Sequence, residues 1–128
     1  MSRTRVGKTR VMTLGLALLV TLVFNCGIVH GKTWIVGDKG GWDLNEDMEK
    51  WPQGKYFKAG DVLVFNSKEA YHVLVVNESD YINCNFFGKA KIYKSGHDRI
   101  RLVKGGNYFI SDGPEWCGYG MRIAVNAE

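Results

Sequence analysis

The stretch NYFISDGPEWCGYGMRIAV, from Asn107 to Val125, is spaced like a loop that grips a metal ion: four residues separate Ser111 from Trp116, and four separate Trp116 from Met121. The residue types suit a metal poorly. A serine hydroxyl is a hard, neutral ligand, and an indole N–H donates but cannot coordinate. Only the Met121 thioether is a soft donor. A hydrolytic reading joins Ser111 and Asp112 to His72. Because Ser111 and Asp112 are adjacent, both cannot easily engage one imidazole in a nucleophile–base–orienter chain. No nucleophile elbow or oxyanion-hole motif accompanies them, so no enzyme activity is expected. A zinc site from His72, His97 and nearby acids lacks any ligand spacing. His97, in KSGHDRI, reads as a solvated residue in a charged turn.

The elements that must position these residues begin after a leader. MSRTRVGKTR carries four positive charges and no acid, a run of 14 mostly apolar residues follows, and NCGIVHG ends in small residues. This pattern reads as a secretory signal peptide over 1–31, cut after Gly31, since the apolar run is too short to span a bilayer. The formal charge of +4 belongs to the leader, and the domain over 32–128 carries 13 bases against 13 acids. A neutral domain gives no electrostatic reason to bind nucleic acid or an anionic membrane surface. No lipid-anchor signal follows the last apolar segment, so neither a membrane span nor a lipid anchor is expected.

Two cysteines, Cys84 and Cys117, remain after processing. In a secreted chain an even count reads as a disulfide, with two free buried thiols as the alternative. Closing a 33-residue loop is worth about 3.7 kcal/mol in the chain-entropy picture. Asn77-Glu78-Ser79 is an N-glycosylation sequon.

Short apolar runs rich in Val, Ile, Tyr and Phe recur between Gly, Asn, Asp and Lys clusters: KTWIV, DVLVFN, YHVLVVN, KIYKS, DRIRLV, NYFIS and GMRIAVNA. They are too short for helices and predict an antiparallel β-sandwich of about seven strands. NEDMEKW (Asn45 to Trp51) alone looks briefly helical, ended by Pro52. Trp34, Trp42 and Trp51 are read as core or near-core.

The motifs VGDKGGWDL, WPQGKYFKAGDVLVFN, VLVVN, KGGNYFI and C..GMRIAVNA, in this order from about Trp34 to Ala127, resemble the phytocyanins of plants, and their plantacyanin branch in particular. The resemblance implies a cupredoxin-like, Greek-key, all-β sandwich with one or two short helical turns and a disulfide joining Cys84 to Cys117. It also implies a blue-copper centre built from His, Cys, His and Met. The late three ligands match Ser111, Trp116 and Met121. The first matches His72 counted forward from Phe65, or Tyr71 counted backward from Cys84, Tyr81 and Val73. A one-residue slip reverses which face a strand residue takes. No copper or other cofactor is therefore expected.

The resemblance further implies that Tyr71, Trp116, Tyr119 and Met121 meet at the former metal end. They either fill that volume or form an exposed patch for a partner. The function expected is a secreted, monomeric, non-redox binding or signalling factor of the cell wall or apoplast, like the early nodulin-like members. Its partner is an unidentified extracellular protein or glycan. A blue-copper electron carrier and a purely structural matrix component are the alternatives.

Overall fold

A computed structural model describes residues 31–68, 71–85 and 90–128, so the expected leader lies outside the described residues apart from Gly31. The runs rich in β-branched residues form seven strands in two sheets. β1 (Thr33–Ile35), β2 (Val62–Asn66) and β5 (His97–Arg101) form one sheet in the order β1-β2-β5. β3 (Val73–Val76), β4 (Lys91–Tyr93), β6 (Gly105–Ile110) and β7 (Arg122–Ala127) form the other, in the order β4-β3-β6-β7. One pairing departs from the antiparallel expectation: β1 lies parallel to β2, with Trp34 opposite Leu63. The 26 residues between these strands are long enough for the crossover that parallel pairing needs.

The core lies between the sheets. Leu63, Phe65 and Ile100 come from the first sheet, and Val73, Phe109, Ile123 and Val125 from the second. Phe65 meets Phe109 across the gap at 5.1 Å between ring centroids. Trp42 and Trp51 are buried in this core and Trp34 packs against it. Val73 faces the main core, whereas Leu74 joins Ile110 and Cys117 in a second cluster on the opposite face. A strand covered on both faces has no reason to alternate, which accounts for VLVV.

Helical structure falls elsewhere than expected. Asn45–Trp51 forms consecutive turns rather than a helix, closed by the Trp51 N–H donating to the Asp47 and Met48 carbonyls. Met48 and Trp51 point into the core from these turns. The two short helices are α1 (Glu78–Asn83) and α2 (Pro114–Gly118). Asn77 caps α1, its side-chain oxygen accepting the Asp80 N–H at 2.8 Å, and α2 opens on Pro114, whose missing N–H costs nothing at a first turn. Cys84 ends α1 and is bonded to Cys117 within α2. GDKGG forms a 3-10 turn at Asp38–Gly40. Gly41 there has φ 70° and lies so close to the Asn66 carbonyl that a Cβ would stand 2.4 Å from its oxygen. Only glycine fits, and the Trp42 N–H can then donate to Asn66 at 2.7 Å.

Asp61 holds the opposite end together. Its carboxylate, 3% exposed, accepts the Lys32 N–H at 2.8 Å, the Trp34 indole N–H at 3.0 Å and the Lys58 N–H at 3.0 Å. Burial alone would raise its pKa. The Trp34 indole and the Lys58 and Lys32 amides, with the Lys58 charge, outweigh burial and hold it below the ordinary carboxylate value. A lowered folded-state pKa stabilises the fold fully above the unfolded value of about 3.9, and this contribution fades as pH falls below it. Asp61→Asn is therefore expected to cost about 2 kcal/mol near neutrality and progressively less as pH falls below the unfolded value. Urea titrations from neutral to acid pH check this; a cost independent of pH would contradict it.

Candidate functional site

One end of the sandwich is built from two chain segments. Tyr71 and His72 precede β3, with the Tyr71 N–H donating to the Ser67 hydroxyl at 2.9 Å. The loop from Ser111 to Met121 joins β6 to β7. It closes on itself: the Ser111 N–H donates to the Met121 carbonyl at 3.1 Å, and the Met121 N–H to the Trp116 carbonyl at 2.9 Å. Ser111, Trp116 and Met121 are thereby tied through backbone, independent of any ligand.

Tyr71, two residues before Val73, packs against the main core and meets Trp116 edge-on, with ring centroids 5.8 Å apart. His72 takes another direction, and its Nδ1 lies 2.6 Å from Asp112 Oδ2. The His72 carbonyl accepts the Trp42 indole N–H at 3.2 Å, which fastens the 41–50 loop to the site. Ser111 is fully buried and its hydroxyl has no hydrogen-bond partner among the described residues. His72 and Asp112 are thus brought together while the Ser111 hydroxyl remains apart, so the three do not form a catalytic chain.

Met121 is fully buried in the main core, against which Tyr71 packs, so of the two expected arrangements it takes no part in an exposed patch. Trp116 is 37% exposed and Tyr119 is 73% exposed. Trp116 covers Gly113 so closely that a Cβ there would stand 2.5 Å from the indole Cδ1. Gly113→Ala is expected to displace the indole from Tyr71 at a cost of about 1 kcal/mol, visible as altered near-ultraviolet dichroism and a lower melting temperature. An unchanged aromatic signal would contradict the contact.

Tyr119 and Gly120 border an open groove of about 370 Å³ whose other wall is Asn45–Glu49. In the sequence this wall belongs to the stretch Asn45–Trp51, which reads as a helix. The clue available there was Asp43, Glu46, Asp47 and Glu49 crowded into one turn region. Glu49 is joined to the loop's far end by the Arg122 guanidinium at 3.0 Å. His97 opens β5 rather than a turn; it is exposed and its Nδ1 lies 3.2 Å from Asn66 Oδ1. Asn77 is exposed, and its oxygen, not the nitrogen a glycan would take, caps α1. Among the described residues no three His, Cys, Asp or Glu side chains cluster as metal ligands, and no helix is long and apolar enough to cross a membrane.

The plastocyanin-like domain family matches residues 42–121. The chain is 50% identical over 95 residues to the basic blue protein of Cucumis sativus, covering 73% of this chain and 97% of that protein. It is 44% identical over 119 residues to chemocyanin of Lilium longiflorum, covering 92% of each. Among solved structures it is similar to cucumber basic protein, a blue copper protein, with a TM-score of 0.70 and 46% identity over 75% of this chain and 99% of that one.

Proposed function

We propose, for a chain that belongs to the phytocyanin family of plastocyanin-like domains, a secreted binding role at the cell wall or cell surface without electron transfer. The family relationship makes copper the metal to test against this site. In the family's pattern Ser111, Trp116 and Met121 stand at three ligand positions and Tyr71 or His72 at the first, which we give to Tyr71 because it packs against the core. These residues do not fit a blue-copper centre, which takes two imidazoles and a thiolate with a weak axial thioether. Phenol, hydroxyl and indole replace the three strong ligands. Tyr71 and Trp116 are engaged with each other, and the nearby imidazole, His72, is engaged with Asp112.

The observation that carries the reading is the Tyr71–Trp116 contact beside the unpartnered Ser111 hydroxyl. Aromatic bulk occupies the place that ligands and metal take in a copper-binding relative, which keeps the end packed. The exposed parts of Trp116 and Tyr119 leave a surface on which a partner can bind. The rival reading, electron transfer, is favoured by the similarity to cucumber basic protein, a blue copper protein. Titration of the disulfide-bonded domain with Cu(II) and Cu(I) separates the two. The expected result is no intense blue band and no stoichiometric, tightly held copper. Tight one-to-one copper would overturn the non-redox reading.

A further inference from the structure

We infer that the groove between Asn45–Glu49 and Tyr119–Gly120 docks a cationic segment of a partner protein, one bearing Lys or Arg. The inference rests on the binding role proposed above and names its partner class. Three carboxylates, Glu46, Asp47 and Glu49, line the groove, and the flanking segments 43–50 and 111–122 add Asp43, Glu115 and Asp112, the last engaged with His72. Against them stand two cations, Lys50 and Arg122, already paired with Asp47 and Glu49. The formal charge of these segments is −4 in a domain that is neutral overall. Charge is therefore segregated, with Arg99 and Arg101 exposed on β5. Tyr119, 73% exposed at the groove's edge, offers a ring face to a guanidinium or ammonium. Carboxylates and an aromatic face around one concavity favour a cation and repel an acidic glycan.

The test uses the isotope-labelled, disulfide-bonded domain and three synthetic 12-residue peptides: one of Arg, Trp and Gly, one with Glu in place of Arg, and one with Ser. The Arg peptide is expected to shift the amide signals of 45–49 and 119–120 and to weaken with added salt. Glu46→Lys with Asp47→Lys should lower its affinity about tenfold, and Tyr119→Ala about threefold. Equal affinity in both variants, shifts confined to another face, or stronger binding of the Glu peptide would overturn the inference. Binding by a second copy of this chain instead, seen as concentration-dependent sedimentation, would also overturn it. Failure here leaves the copper titration, and with it the non-redox reading, untouched.

A separate observation assigns a role to the amino terminus. Asp61 is buried, yet among the described residues no side-chain cation forms a salt bridge with it, and buried carboxylates are ordinarily paired. The Lys32 nitrogen stands 2.8 Å from its Oδ1. We propose that cleavage after Gly31 turns this nitrogen into an α-ammonium that becomes the counter-ion of Asp61. Processing would then tighten the fold at the moment the leader leaves. A domain beginning at Lys32 is expected to melt about 5 °C above the same domain with its amino terminus acetylated. It should also melt above one that retains Gly31, in which the Lys32 nitrogen beside Asp61 stays an uncharged amide. The difference should vanish in Asp61→Asn. Equal melting temperatures in the Asp61 background, or a secreted protein whose sequence does not begin at Lys32, would overturn the proposal.

Discussion

Substituting Tyr71→His, Ser111→Cys and Trp116→His together is expected to yield an intensely blue protein that holds copper tightly, whereas Ser111→Cys with Trp116→His alone should bind it weakly. The triple variant supplies two imidazoles and a thiolate around the existing Met121 thioether, the ligand set a blue-copper centre demands. The loop already ties Ser111, Trp116 and Met121 through backbone hydrogen bonds, so the new side chains enter a preformed frame. The double variant lacks one imidazole, because His72 points to Asp112 while Tyr71 occupies the core-facing position. Loss of even an outer hydrogen-bonding partner costs metal affinity about 10- to 100-fold, so the triple variant should exceed the double by at least about 100-fold. Visible absorption and copper stoichiometry decide the matter. A blue double variant would mean that His72 leaves Asp112 to become a ligand, and the assignment of Tyr71 would fall.

Removing the disulfide is the second large effect. Cys84→Ser with Cys117→Ala is expected to destabilise the domain by about 3.7 kcal/mol, from the entropy of a 33-residue loop. Native domains are stable by only about 5–15 kcal/mol, so the variant should melt some 15–30 °C lower. Cys117 is fully buried with Leu74 and Ile110, and alanine there adds a small packing loss. The Arg122 guanidinium also holds the α1 end, donating to the Tyr81 carbonyl at 3.0 Å and the Ile82 carbonyl at 3.2 Å. Urea unfolding of both forms measures the difference. A loss below about 1 kcal/mol would show that Arg122 fixes this loop without the bridge.

The strands were legible in the sequence because β-branched runs between turn residues admit few other conformations. The helices were less so. Asn77 attracts notice as a glycosylation residue, yet the same side chain starts α1, and a sequon and a helix cap can be written with the same letters. In Asn45–Trp51, Leu44, Met48 and Trp51 have helical spacing, but the Met48 and Trp51 side chains are drawn into the core from turns. Tertiary packing prevails over local periodicity there. Trp116 and Tyr119 could be named from the sequence as residues of one end. The sequence left open whether Met121 fills that end or faces solvent, and its burial follows from the closure of the loop on Ser111. The meeting of His72 with Asp112 and the facing of 45–49 by Tyr119 depend on loops folding toward one another, and neither has a signature in spacing.

The edge-on contact of Tyr71 with Trp116 also sets what single changes at this end can do. Trp116→His alone removes a packed ring, and Ser111→Cys alone adds a thiol without a second strong ligand. Each change by itself is expected to lose stability or gain no copper affinity, so the three positions act as one unit and single substitutions scored separately would understate what they do together.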